Sequence, residues 1–159
     1  MTLTRVPDHH RSQPDLGLTD ALVQLSFSVQ SILGRIAADH DLSIVQVRVL
    51  GVLRDREPGI QQLAQHLRLD KSSVSGLIDR AERRGLVIRN AAPEDGRAVK
   101  VSPTAAGRRI ITEVERDVSR ELLILAQSLS AREKTQLSRL ASKLAIIDSR
   151  GIDSSNSSQ

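Results

Sequence analysis

The stretch LAQHLRLDKSSVSGLIDRAERRGLVIRNAAPEDGRAVKVSPTAAG, Leu63 to Gly107, decides how the chain folds. It starts inside a short helical pattern from Ile60 to Leu67, in which Leu63, Ala64 and Leu67 share a face. Arg68-Leu69 leaves room only for a tight connection, and Asp70 caps a second helix from Lys71 to about Arg84. Gly85 stops that helix, because glycine tolerates the left-handed conformation that closes one. Two helices joined by so short a turn, with small Ala64 near the crossing, match a helix-turn-helix.

At about 100° per residue, Val74, Leu77, Ile78 and Ala81 fall on one side of the second helix and face a core. Ser72, Gly76, Asp79 and Arg83 lie opposite, flanked by Ser73, Ser75 and Arg80. Small hydroxyl residues let a helix approach a surface closely and donate to phosphates or base edges, and Gly76 removes a side chain that would hold it off. Lys71 reinforces the positive end of the helix dipole, which suits phosphate. Asp79 and Arg83 are four apart, so this face either pairs its own charges in solvent or reads DNA, and the wheel does not choose.

The segment that follows, VIRNAAPEDGRAVKV from Val87 to Val101, weighs on that choice. Two β-prone runs flank Asp95-Gly96, a strong turn signal, and Pro93 cannot continue a strand ladder. The partial alternation predicts Arg89 pointing away from Val87, and Lys100 opposite Val99 and Val101. A helix-turn-helix followed at once by a two-stranded hairpin is a winged helix. From Ile60 to Val101, eight basic residues (Arg68, Lys71, Arg80, Arg83, Arg84, Arg89, Arg97 and Lys100) face five acids (Asp70, Asp79, Glu82, Glu94 and Asp95). Three of the chain's four excess positive charges therefore sit in this segment, and it would touch DNA.

Long amphipathic helices bracket the winged helix. Leu18, Leu22, Leu25, Val29, Ile32 and Ile36 repeat every three or four residues, a coiled-coil-like seam. Ile111, Val114, Val118, Leu122, Leu125 and Leu129 repeat it, and after a capping box at Ser130–Glu133 come Leu137, Leu140, Leu144 and Ile147. A second capping box, Ser43–Gln46, opens a helix with Val45, Val49, Leu50 and Leu53 that Pro58-Gly59 closes. A lone subunit leaves much of the long stripes uncovered, which predicts a homodimer. The boundaries read 1–16 for an N-terminal tail, 17–42 for a dimerisation helix and 43–103 for the winged helix. C-terminal dimerisation helices over 104–149 and a tail over 150–159 complete the chain.

Composition narrows the function. The 159 residues hold 39% apolar side chains and a single aromatic, Phe27, so the core is aliphatic and favours helix packing. Zero cysteines exclude disulfides, thiolate metal sites and a cysteine nucleophile. Asp41, His66 and the serines form no nucleophile–base pattern, no glycine-rich phosphate loop occurs, and no metal-ligand spacing or cofactor motif is found. The neighbouring His9 and His10 read as incidental in a polar tail. No run of 18 uninterrupted apolar residues and no signal-like segment is present, so the chain is read as cytoplasmic, without a membrane partner.

Taken together, Leu-Ala-x-x-Leu at Leu63–Leu67, the serine-rich helix, Asp79-Arg80-x-Glu82-x-x-Gly85-Leu86-Val87-x-Arg89, Asp95-x-Arg97 and Thr104-x-x-Gly107 resemble the MarR family of bacterial winged helix-turn-helix transcription regulators. The resemblance runs from about Leu18 to Ile147. It implies a mainly α fold with a small β-hairpin wing, and a homodimer with recognition helices in major grooves and wings in minor grooves of an inverted-repeat DNA operator. Carried over by position, Ser72, Ser73, Ser75, Gly76 and Arg80 read DNA, with Lys71 and Arg83 beside them. Arg97 takes the place of the wing-tip arginine, Asp95 that of the acid ordering the tip, and Arg89 and Lys100 meet phosphates. Departures are Gly96 where a basic residue is common, Ser102-Pro103-Thr104 interrupting the usual Leu-Thr, Ala81 for a frequent Leu, and Gln61 for the usual Ser/Thr cap of the preceding helix. The resemblance also implies release by a small aromatic or anionic effector bound between dimer helices and winged helix, with His40, Val47 and Arg48 as its candidate residues.

Overall fold

A computed structural model describes residues 15–92 and 95–153, with side chains described over 15–91 and 99–145. Helices α1 (Gly17–Asp39), α2 (Ile44–Leu53), α3 (Ile60–Leu67) and α4 (Lys71–Arg83) precede strands β1 (Val87–Ala92) and β2 (Asp95–Pro103), and α5 (Ala105–Leu125) and α6 (Ala131–Asp153) follow. The fold is the expected one, mainly helical with one antiparallel hairpin.

Local chemistry accounts for the boundaries. Ser43 Oγ accepts the Gln46 N–H at 3.2 Å while Gln46 Oε1 accepts the Ser43 N–H at 2.8 Å, the reciprocal cap that starts α2. Gly59, not Gln61, caps α3, and its N–H donates to Gln62 Oε1 at 3.0 Å. Gln61 is the second residue of α3, because the chain leaves its pairing with β2 only at Gly59. Arg68 at φ 54° and Gly85 at φ 68° close α3 and α4 in the left-handed conformation. In each closure the next N–H bonds back to a carbonyl five residues earlier: Leu69 to Ala64 at 3.0 Å, Leu86 to Ala81 at 2.9 Å.

The strands pair from Val87 opposite Pro103 to Ala91 opposite Val99, then shift so that Ala92 pairs with Asp95. Asp95 and Gly96 are therefore strand residues and not the turn; the connection falls on 93 and 94, outside the described residues. On its other edge β2 receives the segment before α3: Val101 N–H donates to Pro58 O at 2.9 Å, and Gly59 bridges Lys100.

One aliphatic core joins the two helices of the helix-turn-helix to everything around them. Leu63, Val74, Ile78 and Val101 are fully buried, packed with Leu53, Leu67 and Val87 and with Ile36, Ile111 and Val114 from the bracketing helices. The long seams are thus divided. Ile32 and Ile36 of α1, and Ile111 and Val114 of α5, belong to the core of the head. Leu18, Leu22 and Leu25 of α1 and Leu137, Leu140 and Leu144 of α6 stay exposed. Helix α1 is also long and apolar enough to cross a membrane by length and composition, at mean hydropathy 1.3 over its most apolar window, of which 17% is buried.

Gly107 marks the tightest approach, since a Cβ there would overlap the carbonyl oxygen of Leu86 and crowd Pro103 Cβ at 3.3 Å. Gly107→Ala should lower unfolding free energy in urea by about 3 kcal/mol through overpacking. Gly51, helical with nothing within 4 Å of its would-be Cβ, is the control: Gly51→Ala should stabilise by about 0.5–1 kcal/mol.

Candidate nucleic-acid interface

The start of α4 is organised by one carboxylate. Asp70 accepts the Ser73 N–H at 2.8 Å, the Ser72 hydroxyl at 2.5 Å and the Ser73 hydroxyl at 2.6 Å. Those bonds, the Ser72 hydroxyl first, hold the Asp70 carboxyl well below the usual carboxylate range. The two serines therefore spend their donor hydrogens on Asp70 and present acceptor lone pairs outward, a reversal of the donor role inferred from their residue type.

The faces of α4 separate as the wheel predicts. Val74, Leu77, Ile78 and Ala81 are buried. Lys71, Ser72, Ser73, Arg80 and Arg83 are exposed, and Ser75 and Gly76 are half-buried. Arg80 folds along the helix, its Nη1 3.5 Å from where a Gly76 Cβ would stand. Lys100 is exposed on β2. Among the described residues no ion pair engages Lys71, Arg80, Arg83 or Lys100.

Arg89 differs from its expected placement. Residues two apart on a strand share a face, so Arg89 follows buried Val87 toward α4 while Ile88 points out, 47% exposed. Its guanidinium donates to Asp79 Oδ1 at 2.5 Å and to Glu82 Oε2, and its backbone N–H donates to Glu82 Oε1 at 3.2 Å. Burial works against the charge, but the hydrogen bonds to Asp79 and Glu82 outweigh it and the guanidinium pKa is raised. Asp79 consequently pairs with Arg89 and not with Arg83. Sequence reasoning missed this triad; an acid pair three apart on one helix flank was its available signal. The side chains of Asp95 and Arg97 lie outside the described residues.

The three candidate effector residues do not converge. His40 Nε2 sits 3.1 Å from Asp117 Oδ2 of α5, and its Nδ1 is 3.9 Å from Glu113 Oε2, so it ties the end of α1 to α5. Arg48 donates to Leu67 O at 3.4 Å and lines an open cleft of about 430 Å3 between α2 and α3. Val47 packs against the core. A different cleft, about 510 Å3, combines charge with apolar surface: Arg80, Arg83 and Arg84 face Asp41, Ser43 and Gln46 over Leu77. A narrow apolar gap adjoins it, lined by Leu42, Val49, Leu50, Leu77, Ala81 and Leu86. Among the described residues no group of His, Asp and Glu is placed to hold a metal ion.

The model of the MarR family matches residues 40–98, from just after α1 into β2. Over those residues the chain is similar to the MarR family. The chain is 29% identical over 114 aligned residues to a relative named HTH-type transcriptional repressor IacR, from Pseudomonas putida. That alignment spans 71% of this chain and 66% of the relative. The crystal structure of transcriptional regulator PA4135 superposes with TM-score 0.69 and 29% identity, covering 85% of this chain and 98% of that one. NadR in complex with 4-hydroxyphenylacetate shares the fold at TM-score 0.68 and 22% identity, covering 89% and 98%.

The Asp70 cap yields a signed pH dependence. A carboxyl whose folded pKa is depressed stabilises the fold above its unfolded value, near 4, and that contribution is lost as pH falls through the lower folded value. Asp117, held down first by His40, and Glu133, held down first by Ser130, act in the same direction. Thermal melts from pH 7 to 3 should show Tm falling below about pH 4. Asp70→Asn, which keeps a capping oxygen but not the charge, should lower Tm at pH 7 and flatten part of that limb.

Proposed function

We propose that this chain is a transcriptional repressor that binds inverted-repeat promoter DNA as a homodimer and is released by a small aromatic acid. The observation that carries the DNA reading is the outer face of α4. Exposed Lys71, Ser72, Ser73 and Arg83 flank Gly76 without a bulky apolar group, beside a hairpin that carries exposed Lys100. Such a helix enters a major groove, with its amino end on phosphate and its small residues on base edges. In this reading Ser75 and Arg80 flank the contact, and Asp95 and Arg97 at the hairpin tip reach the minor groove. A curated relative named as a repressor supports the direction of regulation. A DNA-bound regulator resides in the cytoplasm.

The exposed leucines of α1 and α6 support the dimer. Leu18, Leu22, Leu25, Leu137, Leu140 and Leu144 are each at least 40% exposed, an apolar area that a second copy would bury. The same pairing accounts for the apolar character of α1 without a bilayer. Two heads then meet half-sites about one helical turn, roughly 34–36 Å, apart.

The cleft under Arg80, Arg83 and Arg84 favours an anionic aromatic effector, with carboxylate on the arginines and ring over Leu77 toward Ala81. Because Arg80 and Arg83 also border the DNA face, an occupant competes with phosphate for the same charges. NadR, of the same fold, holds 4-hydroxyphenylacetate, which makes that acid a suitable probe.

Fluorescence anisotropy with duplexes selected by the wild-type chain from a random pool tests the assignment. With about four to eight phosphate contacts per dimer, affinity should fall steeply with salt, by about 0.9 in log–log slope per contact. Arg97→Ala should weaken binding with no change in Tm; wild-type affinity across salt concentrations would refute the wing assignment. Gly76→Ala should raise stability by about 1 kcal/mol yet weaken DNA binding. Millimolar 4-hydroxyphenylacetate should release DNA from the wild type but not from Ala81→Leu, whose larger side chain fills the apolar gap. Sedimentation should give a dimer, and a monomer at micromolar concentration would end the half-site argument.

A further inference from the structure

The winged helix holds eight basic residues, and the structure removes one of them from the DNA-facing set. Arg89 donates to Asp79 and Glu82, and Glu82 also accepts the Arg89 backbone N–H. One positive and two negative charges give a cluster of net charge −1, which offers phosphate no attraction. The Arg89 side chain is 25% exposed, against 48% for Asp79 and 38% for Glu82, so the acids and not the guanidinium face solvent.

The placement of the cluster says what it does. Asp79 and Glu82 are three apart on the flank of α4 that faces the hairpin, while Ser73 and Arg80 lie on the other flank. β1 pairs on one edge only, with β2, and its other edge would expose a free N–H at Arg89. Glu82 occupies that N–H. A guanidinium fork then spans to Asp79, so strand and helix are joined by three charge-assisted hydrogen bonds. Gly85 and the closure of α4 are the covalent link between the two elements, and this side-chain link lies a turn away from it.

We propose that Arg89 is a positioning residue that locks the wing to the recognition helix, with Asp79 and Glu82 as its anchors, so that helix and wing meet DNA as one rigid unit. The proposal rests on the reading that α4 and the hairpin bind DNA. Neither acid is a base-reading group, and Arg89 is not a phosphate contact.

Two measurements on the full chain separate this from its rivals. Hydrogen exchange of the free protein should show residues 87–91 and 99–103 exchanging about tenfold faster in Arg89→Met and in Asp79→Asn/Glu82→Gln, with helices α1 and α5 unchanged. Combining all three substitutions should add nothing further. Unchanged exchange in both variants overturns the lock. On duplexes selected from a random pool by the wild-type chain, Arg89→Met should bind about tenfold more weakly with the wild-type salt slope. Arg89→Lys, which restores charge but not the fork, should rescue neither exchange nor affinity. A slope reduced by about 0.9 per subunit, with rescue by Lys, makes Arg89 a phosphate contact and overturns the proposal. If the wild type retains no duplex at all, the DNA reading fails, and the exchange measurement alone decides whether the lock exists.

Discussion

The carbonyl of Leu86 lies where α4, the hairpin and α5 meet, and the geometry of the head depends on it. It accepts the Thr104 N–H at 3.0 Å, while the Leu86 N–H closes α4 on Ala81 at 2.9 Å. Thr104 then caps α5 by accepting the Gly107 N–H at 3.0 Å and donates its hydroxyl to Gly85 O at 2.6 Å. Only a glycine at 107 lets α5 descend onto that carbonyl. The end of the recognition helix, the base of the wing and the start of the helix leaving the head are thereby fixed by one cluster of short-range bonds. A displacement of α5 would therefore strain the end of α4 through these bonds.

Other polar links extend the same coupling. Arg84, next to Gly85, donates to Asp41 O at 2.6 Å, so the carboxyl end of α4 also holds the connection between α1 and α2. His40 in that connection pairs with Asp117 of α5, and Arg35 of α1 with Glu121 at 3.3 Å. These contacts lie between elements whose apolar faces already pack together, so they set the orientation of surfaces that hydrophobic burial alone would allow to slide.

On α4 itself, charge is sorted by flank. The acids Asp79 and Glu82 belong to the wing side and are spent on Arg89, and Asp70 is spent on the serines and the helix end. What remains outward is Lys71, Arg80 and Arg83 with Lys100 of the hairpin. The exposed basic residues of α4 are thus kept free of ion pairs, because Asp79 and Glu82 turn to Arg89 on the wing flank and Asp70 turns to the serines. That sorting, more than the small net charge of the chain, is what suits the surface to a polyanion.

Whereas the ends of α1, α2 and α6 were misplaced, the limits of α3 and α4, the closures at Gly85 and after Leu67, the buried side of α4 and the reciprocal caps at Ser43 and Ser130 were legible in the sequence. Each depends on side chains within four residues of one another, and local spacing carries that information. Partnerships between distant segments were not legible. Periodicity could not say that Arg89 turns to Asp79 and Glu82, that the serine hydroxyls point to Asp70, or that His40 and Arg48 lie on separate walls of the head. It also could not divide the long apolar seams, since a stripe of leucines looks the same whether it meets its own core or a second chain. The sequence by itself determined which elements form and which face of each is apolar. Only the tertiary structure decided which charges cancel and which stay exposed, because a charge's role depends on the neighbour that folding brings within about 4 Å.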